Sequence, residues 1–489
     1  MKAEITPPDT LLIIFGANGD LSKRKLLPAL YHLDVEGLLP KRWHVLGTAR
    51  SEVSDDEFRQ MAQAAIAEFG KCEPEGERWE RFSQRLTFVS TKFSAENTQE
   101  LTAAISDAED LMGDTSEQLL LYLSTPPQTF GTITEGLGVA GLAKRCRVVY
   151  EKPFGMDRSS FEELDALVQR ELSEEQTYRI DHFLGKETVQ NILAFRFANG
   201  AFEATWNRAH IDHVQIDVPE DMGVEERAGF YDRAGALRDM LVTHLFQVLS
   251  VIAMEPPTRL ESGPLIDEKV KVFHSMRDLR PEDVVLGQYE GYPDEDGVAD
   301  DSTTETFVAV RVFIDNWRWD GVPFYLRTGK MMAEKRQTVT MAFRPPPATM
   351  FPEHTSRHLA RDRLTFELGG EGGVEFTFLA KKPGPSIELG PVSMSFDYGE
   401  AFGSGLIDAY ERLIHDALLG DRTLFTRADG IAATWDLLEE VLNEQTSPLP
   451  YARGSWGPDA AAELIAPRHW YLPDRPEIDE AITTEKATS

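Results

Sequence analysis

The sequence predicts an α/β domain built on a parallel sheet, followed by a larger α+β domain whose sheet is mainly antiparallel. Three observations carry this reading. From Leu11 to about Arg179, short apolar runs alternate with longer amphipathic stretches, the pattern of βαβ units. Past Arg179, runs of period two follow one another without intervening helices, as in an antiparallel sheet. A chain of 489 residues is long enough for two or three separate cores, and we divide it into 1–180 and 181–489.

In the first part, LLIIF, HVLGTA, LTFV, QLLLYL and CRVVYEKPF read as strands, and stretches such as FRQMAQAAIAEF read as the helices between them. In the second part, the helical patterns TVQNILAFRFA and ALRDMLVTHLFQVLSVIAM give way to the strands HVQIDV, TFVAVRVFI, TVTMAF, LTFEL and VEFTFLA. Two further helices, over 405–419 and 431–444, are expected to cover that sheet. Tyr292 to Glu305, Pro345-Pro346-Pro347 and the tail after Pro473 read as loops or disorder.

Hydrophobic content of 42%, aromatic content of 10% and charged content of 27% fit a folded chain. The net charge of -32, from 82 acidic and 50 basic residues, repels nucleic acid and anionic lipid, so neither is expected as a partner. Any anionic ligand must then be met by local clusters of Lys, Arg and His. Cys72 and Cys146 form no CxxC, which leaves no disulfide framework, zinc knuckle or redox pair. The start, MKAEITPPDTLLIIFG, has an apolar run of only about five residues, too short for a signal segment or a membrane span, and a cytoplasmic location is expected.

LLIIF leads through Gly16, Ala17, Asn18, Gly19 and Asp20 into a helix expected from Leu21 to Leu33. The unpaired amides at that helix start suit a phosphate. The glycines allow a tight turn, although GxxGDL departs from the usual GxGxxG fingerprint of Rossmann-like domains. At the end of the second strand, where an enzyme using NAD places an acid for the ribose hydroxyl, this chain has Thr48-Ala49-Arg50. A guanidinium there favours NADP, and Lys23, Arg24 and Lys25 add positive charge.

RIDHFLGKE, from Arg179 to Glu187, lies at the change of texture. If it is helical, His182 and Lys186 stand four apart on one face and can grip a phosphate from one side. In isolation such a pair is a solvated face. Farther on, Asp239 and His244 interrupt an apolar helix, where a buried polar pair needs a reason, and a general base is one. Five residues turn an α-helix by about 140°, so Asp239 is poorly placed to orient His244, and Asp181 is the better candidate. Lys152, in the YEKPFG turn at the end of a parallel strand, sits where ligands of such sheets bind, and Pro153 is a candidate for a cis bond. Lys330 and Lys335 follow PFYLRTGK.

Together FGANGDLSKRKLLPALYHL, YEKPFG, RIDHFLGKE, LRDMLVTHLFQVL and IDNWRWDGVPFYLRTGK resemble glucose-6-phosphate dehydrogenases in order and spacing, and the match runs through LFTRADG and GSWGP. The resemblance implies oxidation of β-D-glucose 6-phosphate at C1 to 6-phosphoglucono-1,5-lactone with NADP. It implies His244 as base, Asp181 as its orienting partner, and Glu220 and Asp239 on sugar hydroxyls. It further implies His182 and Lys186 on the phosphate, Lys152 between sugar and nicotinamide, and Lys330 and Lys335 on the substrate. Gly16, Ala17, Asn18, Gly19, Asp20, Leu21, Ser22, Lys23 and Arg50 would take the coenzyme, and a homodimer or homotetramer through the large sheet is implied. Two positions depart from the family pattern: Asn18, where Ser or Thr is usual, and Phe183, where Tyr is frequent. Phe183 has no hydroxyl to donate, which costs the phosphate about 0.5 to 1.5 kcal/mol. Two rivals remain. A dehydrogenase of the glucose-fructose oxidoreductase type shares the fold elements and the EKP turn but lacks RIDHFLGKE. A catalytically silent sugar-phosphate or NADP sensor would have no need of the intact His244, Asp181 and Lys152 set.

Overall fold

The computed structural model describes residues 6–113, 116–346, 361–370, 372–403, 406–444 and 446–472. Position 405, Pro347 and the tail after Pro473 therefore lie outside the described residues. The chain forms two compact units: Met1–Glu187 with Glu255–Val270 and Ile407–Trp435, and Thr188–Met254 with Lys271–Leu406 and Asp436–Ser489.

The first unit holds β1 (Thr10–Phe15), β2 (Trp43–Ala49), β3 (Leu86–Ser90), β4 (Gln118–Leu123), β5 (Cys146–Tyr150) and β6 (Thr177–Ile180). They pair in parallel in the order β6-β5-β4-β1-β2-β3, and a short strand, Phe425–Thr426, adds antiparallel to β6. β1 and β4 are buried along their whole length, as the apolar runs require of central strands. Strand order reverses between them, and open α/β sheets bind ligands beyond the carboxyl ends of the strands at such a switch point.

A division at 180/181 follows the chain, but the first unit also takes in two later segments. The reason is long-range packing. Phe425 pairs with Ile180, and the helix Ala409–Leu419 packs on the helix Leu27–Val35. Glu411 lies 3.0 Å from His32 Nδ1 and forms an ion pair with Lys71 at 3.1 Å. The helix expected over 405–419 thus covers the parallel sheet's unit, which corrects its assignment to the antiparallel sheet. The helix expected over 431–444 is two shorter ones, Ala428–Asp436 and Glu439–Asn443.

The second unit holds β7 (Ile211–Pro219), β8 (Val284–Tyr289), β9 (Phe307–Val312), β10 (Phe324–Gly329), β11 (Thr338–Phe343), β12 (Arg363–Glu367), β13 (Gly373–Lys381) and β14 (Leu389–Asp397). Their order is β14-β13-β12-β11-β7-β10-β9-β8, ended by Leu449–Tyr451. The sheet is antiparallel as expected, except that β7 pairs in parallel with β10 and Leu449–Tyr451 with β8. The β7–β10 pairing sets Pro219 beside Gly329, so the residues that follow, Glu220 and Lys330, emerge together.

The helical run Ala228–Ala253 is long and apolar enough, by composition, to cross a membrane, yet 89% of its most apolar stretch is buried inside the protein. Its apolarity serves the core of the second unit. Gly235, at φ 69°, breaks the run, and the helix restarts with the Leu237 amide donating to Glu305 Oε1 at 3.0 Å. Burial raises the Glu305 carboxyl above its usual range.

Candidate active site

After β1 the chain turns sharply. The Gly16 amide donates to Thr48 O at 2.8 Å and Gly19 N donates to Gly16 O at 2.9 Å, so the turn closes over the end of β2. Gly16 has φ 74°, and a Cβ there would lie 2.2 Å from Ser124 O at the end of β4. This is a backbone cradle at the switch point. Ser22 Oγ and Ser124 Oγ are buried beside it without a hydrogen-bond partner among the described residues, which fits an absent polar ligand. The helix after the turn starts at Asp20 and passes into a π-helical turn, Ser22–Leu26, that carries no acidic residue. Asn18 Nδ2 donates to Ser51 Oγ at 2.6 Å and ties the turn to the loop of Arg50, whose side chain is exposed. Asp20 pairs with Arg24 at 2.9 Å on the surface.

Gly16→Ala is expected to abolish tight NADP binding, measured by fluorescence titration, and to lower the melting temperature. The left-handed backbone alone costs about 1 to 2 kcal/mol, and the overlap with Ser124 O adds to it. Unchanged coenzyme affinity would remove the turn from the site.

Lys152 follows β5, and its peptide bond to Pro153 is cis, as the sequence led us to expect. Phe154 O accepts from Trp435 Nε1 at 3.2 Å, which anchors the turn. RIDHFLGKE is not helical. It begins as β6, continues as a turn, and its helix, Glu187–Phe197, starts only after Lys186. Arg179 is a structural residue, buried against Asp165 at 2.6 Å and Glu174 at 2.9 Å. Asp181 is buried, and its Oδ1 accepts the Phe183 amide at 2.9 Å. His182 and Lys186 therefore meet around Phe183 and not along a helix face: the His182 ring centroid is 5.1 Å from that of Phe183, and Lys186 Nζ lies 4.1 Å over the Phe183 ring. The ring that lacks a hydroxyl supports the lysine by cation–π attraction.

Two residues outside the predicted set join this cluster. Tyr410 stacks on His182 with centroids 6.4 Å apart and planes 12° apart. Lys25 Nζ lies 5.9 Å over the Tyr410 ring and 3.2 Å from Asp408 Oδ2. Lys25 carried a charge signal in the sequence. Tyr410 carried none, since it belongs to an ordinary amphipathic helix far along the chain.

In the second unit, Lys330 Nζ pairs with Glu220 Oε2 at 2.6 Å and lies 5.6 Å over the Tyr231 ring. Tyr451 Oη donates to Lys330 O at 2.6 Å and fixes the backbone. Burial, reinforced by Asp239, Glu305, Tyr451 and Glu220, holds the Tyr231 phenol well above its usual range, so the ring stays neutral. Lys335 is exposed and is not drawn into this set.

Asp239 and His244 are both buried, on a π-helix, Leu237–Leu245. Its ladder runs between residues five apart, as when Phe246 N donates to Leu241 O. A five-residue spacing is then close to one turn, and the offset of about 140° for an α-helix does not apply. The angular objection to Asp239 as a partner of His244 falls, and the choice of Asp181 rests on the family pattern.

A tight glycine turn at the switch point of an open parallel sheet is the architecture of dinucleotide-binding enzymes. Comparison with known proteins narrows the class. Residues 13–191 match the glucose-6-phosphate dehydrogenase NAD binding domain, and residues 193–471 match the glucose-6-phosphate dehydrogenase C-terminal domain. Glucose-6-phosphate 1-dehydrogenase of Aggregatibacter actinomycetemcomitans is 43% identical over 97% of this chain and 98% of its own. The crystal structure of glucose-6-phosphate 1-dehydrogenase from Mycobacterium avium is similar with a TM-score of 0.85 at 37% identity, covering 96% of this chain and 100% of that one. A glucose-6-phosphate dehydrogenase in complex with its substrate glucose-6-phosphate is similar with a TM-score of 0.87 at 32% identity, covering 96% and 99%. This chain belongs to the glucose-6-phosphate dehydrogenase family.

Proposed function

We propose that this protein oxidises β-D-glucose 6-phosphate to 6-phospho-D-glucono-1,5-lactone, the first step of the pentose phosphate pathway. Family membership over nearly the whole chain carries the reading. Bound NADP+ supplies the acceptor for the C1 hydride. His244 takes the proton of the C1 hydroxyl, and Asp181 steadies the imidazolium that forms. His182 and Lys186 hold the phosphate, and the Tyr410 ring stacked on His182 keeps that imidazole in place. Glu220 and Asp239 accept from sugar hydroxyls, Lys330 and Lys335 contact the substrate, and Lys152 stands between sugar and nicotinamide.

Gly16 to Lys23 and Arg50 hold the coenzyme. Arg50 favours the 2'-phosphate of NADP because the end of β2 carries no acid in its place. The proposed assembly is a homodimer or homotetramer through the large sheet, supported by Val392 and Met394 on β14, which are 41% and 60% exposed. We place it in the cytoplasm.

The test is nicotinamide absorbance with four mixtures: glucose 6-phosphate or glucose, each with NADP or NAD. Reduction with glucose 6-phosphate and NADP is expected, with a much higher KM for unphosphorylated glucose. No reduction with either coenzyme would overturn the enzyme reading, and glucose reacting equally well would overturn the phosphate clamp.

A further inference from the structure

The helix that carries Asp239 and His244 does not start on its own residues. The break at Gly235 leaves the first amides of the π-helix Leu237–Leu245 without partners inside the helix. One residue from far along the chain meets two amides at this start: Glu305 O accepts from Ala236 N at 3.0 Å, and Glu305 Oε1 accepts from Leu237 N at 3.0 Å. The break itself is shaped around this contact. A Cβ on Gly235 would lie 2.2 Å from Glu305 Oε1, so the carboxyl occupies the place a side chain at 235 would need. The mechanism above gives Glu305 no task.

The residues on either side of Glu305 are held just as firmly. Ser302 Oγ donates to Asp232 Oδ1 and Thr304 Oγ1 to Asp232 O, both at 2.5 Å, which lays this segment along the helix Ala228–Ala236. Thr306 is fully buried; its carbonyl accepts from Lys330 N at 2.8 Å and its Oγ1 accepts from Tyr289 N at 2.9 Å. Two adjacent residues thus tie the start of the helix bearing Asp239 and His244 to the strand end bearing Lys330, whose ammonium pairs with Glu220.

From this geometry we infer that Glu305 is a positioning residue for the reaction: by starting the π-helix it sets where Asp239 and His244 stand relative to Lys330 and Glu220. The inference rests on the reading above, in which His244 is the base. Asp239 lies two residues from the capped amide and His244 seven, so a shift of the first turn carries both with it. Turnover is steep in such shifts, since a misplacement of about 1 Å costs on the order of a hundredfold. Burial favours the neutral carboxyl of Glu305, whereas the Leu237 amide and Arg238 favour the carboxylate. Oε1 can accept in either state, so a side-chain amide can stand in for it.

Glu305→Gln and Glu305→Met test this in the full-length protein. Gln keeps an oxygen for the Leu237 amide, and Met fills similar space without one. Glu305→Met is expected to lower kcat about tenfold to a hundredfold while the KM for NADP stays within about twofold, and Glu305→Gln is expected to stay within about threefold of the parent in both. A folded Glu305→Met with kcat within about twofold of the parent, or a Glu305→Gln as slow as Glu305→Met, would overturn the inference. Should Glu305→Met melt below the assay temperature, Glu305→Asp decides in its place: its carboxylate stops one methylene short of the amide, a loss of kcat of about tenfold is expected, and parental kcat overturns the inference.

Amide hydrogen exchange separates the cap from the chemistry. Peptides covering 236–245 are expected to exchange about tenfold faster in Glu305→Met than in the parent or Glu305→Gln, with peptides of β1 unchanged. Unchanged exchange over 236–245 overturns the inference whatever the turnover. A parent protein that reduces neither coenzyme overturns the reading on which the inference rests, and the exchange result then still reports on the cap alone.

Discussion

Replacing His244 by Asn is expected to lower kcat by about two to four orders of magnitude, with KM for glucose 6-phosphate within about threefold. The residue is fully buried on the π-helix Leu237–Leu245, with Asp239 one turn away. Asn is similar in size and still makes hydrogen bonds, so the helix and its packing survive. It cannot accept a proton near neutral pH, so the C1 hydroxyl stays protonated as hydride leaves. Steady-state kinetics with a melting curve checks both halves, and a folded variant with near-normal kcat would give the base role to another group.

Arg327→Leu is expected to cause the largest loss of stability, about 3 to 5 kcal/mol. Arg327 lies on β10, 1% exposed, with Nε 2.8 Å from Asp217 Oδ1 and Nη2 2.5 Å from Oδ2. Trp470 and Trp456 enclose the guanidinium at 4.3 Å and 5.2 Å. Removing the cation leaves the Asp217 carboxylate buried and uncompensated, and that accounts for most of the cost. For a unit of this size the loss corresponds to a fall of roughly 6 to 20 °C in melting temperature. A double variant with Asp217→Leu is expected to recover much of it, since no lone charge remains. A single variant that melts within about 2 °C of the parent would show that the ion pair contributes little.

The parallel sheet was legible because its first five strands contain apolar runs, and such runs signal buried strands without any knowledge of their partners; the sixth, TYRI, carries no such run. Pairing across long separations was not. Nothing within Phe425–Thr426 announces that it joins β6, and nothing in β7 and β10 separately shows that they run side by side. The site was legible where chemistry is local, as in the turn at Gly16, the Lys152-Pro153 bond and the buried His244. It was misread where a helix type mattered. An α-helical spacing rule was applied to Asp239 and His244, which lie on a π-helix, and an assumed helix in RIDHFLGKE replaced the turn that gathers His182 and Lys186 around Phe183.

The discontinuity of the first unit bears on how the chain is made. A ribosome delivers the nucleotide-binding half first, but the last segment of that half, Ile407–Trp435, emerges only when all of the second unit except Asp436–Ser489 has been synthesised. Until then β6 is an exposed edge, lacking Phe425–Thr426 beside it and the helix Ala409–Leu419 that covers Leu27–Val35. Truncation before Phe425 leaves that sheet margin open, so the two halves are committed to being completed together.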